Sequence, residues 1–339
     1  MIDVALDARI TPRMSAGMRA YVRALLEGVP RVAPDIRLHA VGHGLNFGLD
    51  EQLRLPAEIA RLAPALTHYP TIFAPLRRRR PYVAMVHDLI HLQYPQFFGV
   101  ATSLFYTLVA KPMLRGAALL LMSDERCAQA CVEFLGVERE RCRIVPLGYD
   151  PLLFAPAATP AARRPYIMYA GNHRPHKNLT VLYEAWAGLP EAVELDLVIT
   201  GPEDAAVKER YGRPGSALRF AGTLTDAHLI AAYRSASAYV HPALVEGFGL
   251  PMLEAAVLGT PVIASATAVP AIVAPYARTF APHDTLALRA ALTDLVANPA
   301  PYRRRAAEGS VVLRAYTWDR FAAGTAAVYR EVVDGSAGA

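Results

Sequence analysis

Short apolar runs alternate along the chain with longer segments of helical periodicity, and each run closes on a polar or glycine-bearing turn. Strands are predicted at 2–7, 37–41, 82–86, 119–122 and 143–146, and again at 166–170, 195–200, 218–221, 238–241 and 261–264. Between them, 18–28, 179–186 and 226–235 read as helices, and a shorter helical tail follows the last strand. Ser123-Asp124, directly after an apolar strand, supplies side-chain oxygens suited to capping the next helix. Strands separated by helices predict parallel βαβ units, hence an α/β fold.

This alternation is interrupted once. Residues 151–165 carry Pro151, Pro156, Pro160 and Pro165 among alanines, with Arg163 and Arg164, which is linker composition. The chain therefore divides into domains 1–155 and 156–317, followed by a last helix over 318–339. Both halves read as doubly wound sheets, which bind ligands in the crevice outside the carboxyl ends of their strands. The loops 15–17, 87–91, 171–177, 222–224 and 246–250 all follow strands, so they are expected to converge on one central cleft.

The most informative loop is His241-Pro-Ala-Leu-Val-Glu246-Gly-Phe-Gly-Leu-Pro-Met-Leu-Glu254. It reads as a strand end, a glycine-bearing turn and a helix entered through Pro251, which suits the first helical position. Gly247 and Gly249 let the backbone approach a ligand. The free N–H groups of Gly247, Phe248, Gly249 and Leu250, with the helix dipole, would seat a phosphate. Glu254 is placed in the first helical turn and Glu246 in the loop before it. The simpler reading is a helix start decorated with capping acids.

Length and composition narrow the class. A chain of 339 residues, 53% hydrophobic and 19% charged, has material for two cores and argues against global disorder. The net charge of +5 is a mild bias that suits a phosphate-bearing ligand or an anionic surface. Cys127, Cys131 and Cys142 form no paired motif, which points to buried thiols in a reducing compartment and not to zinc or disulfides. The start shows no leader pattern and no apolar run spans a bilayer, so a cytoplasmic protein is expected, at most peripheral at a membrane. Arg77-Arg-Arg-Arg80 reads first as a solvated loop, and alternatively as a contact for anionic lipid or a lipid-diphosphate acceptor. Tyr94, Phe97, Phe98, Phe105 and Tyr106 read first as the core face of a helix, and alternatively as an amphipathic membrane or acceptor patch. Nucleic acid is not an expected partner, because the basic run lacks interleaved aromatics.

Together these segments resemble the retaining glycosyltransferases of the GT-B fold, specifically family 4: two Rossmann-like, doubly wound parallel-sheet domains facing a central cleft. Glu246-Gly-Phe-Gly-Leu-Pro-Met-Leu-Glu254 is similar to that family's E-x7-E element. Tyr169-Ala-Gly171-Asn-His-Arg-Pro-His-Lys177-Asn178 is similar to its glycine turn with a basic pair. Asp7-Ala-Arg9 with Ser15-Ala-Gly17 resembles its first loop, and Val86-His87-Asp88-Leu89 its central His-Asp-Leu. Phe280-Ala-Pro-His-Asp284 and Thr317-Trp318-Asp319 echo positions near its C-terminus.

The resemblance implies a nucleotide-sugar donor in the second domain, a saccharide or lipid-linked acceptor in the first, and a last helix crossing back to the first domain. Lys177 would meet the diphosphate, with Arg174 as the second cation because His176 stands where relatives carry Arg. Gly17, Gly247, Phe248, Gly249 and Leu250 would line the diphosphate or sugar, and backbone near Leu224 the base. Glu254 would hold the ribose, and Glu246 and His87 would act at the donor sugar. Taken alone, His87 is a hydrogen-bonded structural histidine; a metal site with His91 and Asp88 is disfavoured. No metal or cofactor is implied, and a GDP-mannose-type donor is preferred. Ala243 and Ala271 depart from the family's common Ser and Glu. The rival readings are a GT-B-fold nucleotide-sugar epimerase and a catalytically silent nucleotide-sugar-binding protein.

Overall fold

The computed structural model describes residues 1–9, 16–44, 48–154 and 164–337. Ser15 of the first glycine loop, 155–163 of the proline-rich segment and the last two residues of the predicted terminal helix lie outside them. The chain forms two compact units, Met1–Gly148 with Tyr316–Ala339, and Tyr149–Ala315. The division falls at Gly148/Tyr149, several residues before the proline-rich boundary predicted at 155/156. Side chains explain the difference. Tyr149 Oη donates to Arg314 O at 3.2 Å and Arg234 Nη2 donates to Leu153 O at 2.7 Å, so this stretch already belongs to the second unit.

The first unit holds β1 (Ile2–Asp7), β2 (Ile36–Val41), β3 (Leu66–Tyr69), β4 (Tyr82–Met85), β5 (Leu119–Met122) and β6 (Cys142–Ile144), in the order β2-β1-β3-β4-β5-β6. The second holds β7 (Tyr166–Tyr169), β8 (Asp196–Ile199), β9 (Leu218–Phe220), β10 (Ala238–His241), β11 (Val262–Ser265) and β12 (Ala277–Phe280), in the order β12-β11-β10-β7-β8-β9. All pairings are parallel. Central strands such as β4, β5 and β7 are buried throughout, as sheets covered on both faces require, which is why they read as unbroken apolar runs. Each sheet has one reversal of strand order: between β1 and β3 in the first, between β7 and β10 in the second. Ligands in open α/β sheets bind at such switch points.

Two strands were not predicted. β3 carries Thr67 and His68 in a fully buried Leu-Thr-His-Tyr segment. Its imidazole is accommodated because Nε2 lies 3.0 Å from Tyr21 Oη and Nδ1 lies 2.5 Å from Tyr329 Oη. β12 is a short edge strand with two exposed central residues. The helical tail is also longer than predicted: Thr285–Ala297, Ala300–Leu313 and Trp318–Ala337. The last of these helices packs on the helix Ala16–Val32 and on β3 and β5. Small residues allow the approach, since a Cβ on Gly28 would lie 2.8 Å from that of Ala322. Ion pairs Arg330–Asp35 at 2.6 Å and Arg143–Glu331 tie its outer face to the same unit.

Candidate functional site

The site grows from the switch point of the second sheet, where the loops after β7 and β10 lie side by side. Leu244 N donates to His176 O at 2.8 Å, and Asn178 Nδ2 donates to Pro242 O at 3.0 Å and Pro282 O at 2.6 Å. These bonds bring Lys177, on the first loop, against Glu246, on the second. Lys177 Nζ is ion-paired with Glu246 Oε2, and His241 Nε2 lies 3.1 Å from the same oxygen.

Behind them stands β10. Tyr239 and His241 are two apart and share one face of the strand. Tyr239 Oη lies 2.9 Å from His241 Nδ1 and 3.0 Å from Ala170 O, so its one proton serves two acceptors. Burial pushes the Glu246 carboxyl up, but the His241 hydrogen bond and the Lys177 charge outweigh it and hold it down at about 2. Burial lowers the His241 imidazole against the pull of Glu246. Glu246 is thus a fixed anion with one oxygen already engaged.

The turn after Glu246 is closed by Gly249, whose φ of +81° favours glycine; a Cβ there would lie 2.3 Å from Met252 Cε. The helix Leu250–Val257 begins immediately, with Gly249 as its N-cap and no capping side chain. Its first turn contains no acid. This corrects the placement of Glu254 in that turn: the helix starts before Pro251, so Glu254 is its fifth residue and caps nothing. Among the described residues the amides of Gly247, Phe248, Gly249 and Leu250 donate to no protein acceptor, which leaves an anion seat at the positive helix end.

Glu254 faces Tyr233 instead, with Oε2 3.4 Å from Tyr233 Oη. Burial, aided by the charges of Asp226 and Asp150, pushes this carboxyl up to about 7. The two glutamates of one motif are therefore driven apart by their surroundings, a pattern found where carboxylates have separate roles. Because the folded protein holds the Glu254 proton more tightly than the unfolded chain, its stabilisation is complete below about pH 4.5 and is lost as pH rises through about 7. Glu254→Gln should consequently gain stability relative to wild type by about 2 kcal/mol more at pH 8 than at pH 5. Denaturant unfolding at the two pH values measures this difference.

The remaining predicted residues are more dispersed. Arg174 is exposed and makes no ion pair among the described residues, while His176 is buried. Leu224 is half-buried in the loop after β9. Ala243 is fully buried and Ala271 exposed. His87 and Gly17 lie in the first unit. His87 Nε2 donates to Pro70 O at 2.9 Å, which leaves Nδ1 as the bare acceptor nitrogen, and burial lowers the imidazole to about 4. It is a neutral hydrogen-bonding group at physiological pH, edge-on to Tyr21 at 5.2 Å. Arg9 of the first loop is spent structurally, buried between Asp7 and Glu51 at 2.6 and 2.7 Å. Among the described residues no group of three or more His, Cys, Asp and Glu side chains is placed to hold a metal ion.

Residues 155–310 match the family model described as glycosyl transferases group 1. The chain carries a group 1 glycosyltransferase domain. The domain covers Lys177, His241, Glu246 and Glu254, so the clustered residues all lie within it. The chain is 33% identical over 226 residues to an MMP alpha-(1->4)-mannosyltransferase of Mycolicibacterium hassiacum, covering 63% of this chain and 54% of that protein. It is 31% identical over 184 residues to a phosphatidyl-myo-inositol mannosyltransferase of Mycobacterium leprae, covering 49% of this chain and 46% of that protein. The chain thus spans about half the length of these relatives. In fold it is similar to a sucrose-phosphate synthase of Thermosynechococcus elongatus, with a TM-score of 0.76 at 20% identity over 99% of this chain and 100% of that one. The α/β architecture is that of GT-B glycosyltransferases. Sequence reasoning did not assign Tyr233, Tyr239 or His241 a part in this domain's site. Tyr239 and His241, at strand spacing directly before the motif, were the available signal.

Proposed function

We propose that the protein is a retaining, metal-independent hexosyltransferase that takes a mannosyl group from a GDP-mannose-type donor to a hydroxyl of a saccharide or lipid-linked acceptor. One observation carries the reading: Lys177 and Glu246 meet beside four unengaged amides at the Gly249-capped helix start. A diphosphate on those amides would compete with Glu246 for Lys177. Glu246 would keep its His241 partner and offer its other oxygen to a sugar hydroxyl. As the leaving group departs, Lys177 would follow the growing charge, supplying the cation that other transferases take from a metal. Glu254 would accept the ribose hydroxyls, and neutral His87 would hold a hydroxyl at Nδ1 without contributing charge.

The mannosyl preference draws support from the activities of the two relatives, and the lipid-linked acceptor from that of the Mycobacterium leprae protein. Neither name favours an epimerase or a silent binding protein. Three free, buried cysteines support work in a reducing, cytoplasmic compartment. Among the described residues no helix is long and apolar enough to cross a membrane.

Incubation with a panel of nucleotide sugars and mannosyl acceptors tests the proposal, with the anomeric configuration of the product read by NMR. The expected result is an α-linked product from an α-linked donor, with turnover unchanged in EDTA. An inverted product, or conversion of the donor without an acceptor, would sink it.

A further inference from the structure

Charge is distributed unevenly in the first unit. Between Glu58 and Asp124 the only acid is Asp88, against Arg61, Arg77, Arg78, Arg79, Arg80, Lys111 and Arg115. A net +6 over this stretch therefore exceeds the +5 of the whole chain. Within it, 100–116 forms one continuous helical run. One side of the run, with Tyr106, Ala110, Met113 and Leu114, is buried in the core. The other presents Val100, Leu104 and Leu108, spaced by four and 86%, 56% and 64% exposed. Water-facing leucines in a regular stripe are not accounted for by packing within this unit.

The basic run lies alongside that helix. Phe73 contacts Phe105 with ring centroids 5.6 Å apart, and a Cβ on Gly116 would lie 3.1 Å from Arg80 Nη2. The segment from Phe73 to Arg80 therefore meets the helix at Phe105 and again at its Gly116 end. It adds exposed Leu76, whose amide donates to Gln52 Oε1 at 2.9 Å, and so adjoins the segment carrying exposed Leu49 and Leu53. Arg77, Arg79 and Arg80 are exposed and make no ion pair among the described residues.

From the helix stripe and the basic run together, we infer that this face of the first unit docks on a bilayer that carries anionic headgroups. The leucines and Val100 enter the boundary between headgroups and chains, and the arginines meet lipid phosphates, the two contacts that together hold a peripheral protein. A second copy of the chain is a poorer occupant, because a self-matched patch would bring cations against cations with no acid between them. The inference stands apart from the donor site: every residue in it belongs to the first unit, and failure of donor binding would leave it untouched.

Sedimentation with vesicles tests it, using phosphatidylcholine alone and phosphatidylcholine with about 30% phosphatidylglycerol, a charge density sufficient to attract basic segments. Wild type should sediment with the anionic vesicles and be released by salt. Arg77→Gln/Arg79→Gln/Arg80→Gln should weaken partitioning on the order of a hundredfold, about fivefold for each arginine. Leu104→Gln/Leu108→Gln should weaken it at least tenfold with the arginines intact. All five positions are exposed, so the melting temperature should hold in both variants. Equal binding to neutral vesicles, no binding to anionic ones, or partitioning indifferent to either set would overturn the inference. So would a dimer in solution that the leucine changes dissociate.

Discussion

Lys177→Ala should lower kcat/KM for transfer by two to three orders of magnitude, roughly the effect of removing one preorganised donor to a developing oxyanion. Most of the loss should appear in kcat, because in the proposed reaction the charge that Lys177 would answer grows as the nucleoside diphosphate leaves. A cost in stability is also expected. Lys177 is paired with Glu246, and both side chains are largely buried. Removing the cation leaves the carboxylate to His241 alone, which should destabilise the fold by about 1–3 kcal/mol. The two effects separate experimentally: kcat/KM is read well below the variant's melting temperature, and stability by denaturant unfolding. A variant that loses stability yet keeps its kcat/KM would show Lys177 to be a structural ion pair and nothing more.

The second large effect concerns a close backbone contact within the first unit. Gly148→Ala should destabilise the first unit by about 3 kcal/mol, at the upper end of what overpacking costs. A Cβ there would lie 2.2 Å from Trp318 N and 2.3 Å from Thr317 C, both backbone atoms that cannot rotate away. The start of the helix Trp318–Ala337 would have to lift, and with it the His68–Tyr329 contact that satisfies a buried imidazole. Limited proteolysis should then cut near Tyr316 in the variant and not in wild type. Gly335→Ala is the matched control. An added Cβ meets nothing there, so the helix should gain about 0.5 kcal/mol from the better helix former.

What the sequence showed of this protein depended on whether a feature was local. β5 and β10 are apolar runs with clean ends and were predicted residue for residue, as was the Asp226–Ser235 helix, which begins at the Thr225 cap. Asp124 caps the next helix as read, accepting from Arg126 N at 3.0 Å. β3 stayed hidden because His68 and Thr67 are polar by composition, and only distant Tyr21 and Tyr329 make the histidine buriable. The helix Ala300–Leu313 was obscured by its arginine run and by Gly309, whose missing Cβ leaves room for Tyr276.

At the site, the spacing of Glu246 and Glu254 was visible, but their different environments were not. Glu254 looked like a capping acid until Gly249 proved to be the N-cap. His241 sat within the quoted motif, yet its grip on Glu246 depends on a neighbouring tyrosine and on burial, neither of which has a local sequence mark.

The most direct test of the account is thermal stabilisation by GDP, UDP, ADP, CDP and dTDP, since a ligand of the folded state raises its stability by mass action. The account predicts a shift with one diphosphate, GDP before the others, strongly reduced in Lys177→Ala and in Glu254→Ala. No shift with any of the five at about a hundred times an ordinary micromolar Kd, where roughly 2.7 kcal/mol of stabilisation is due, would contradict it. So would a shift that both variants retain in full.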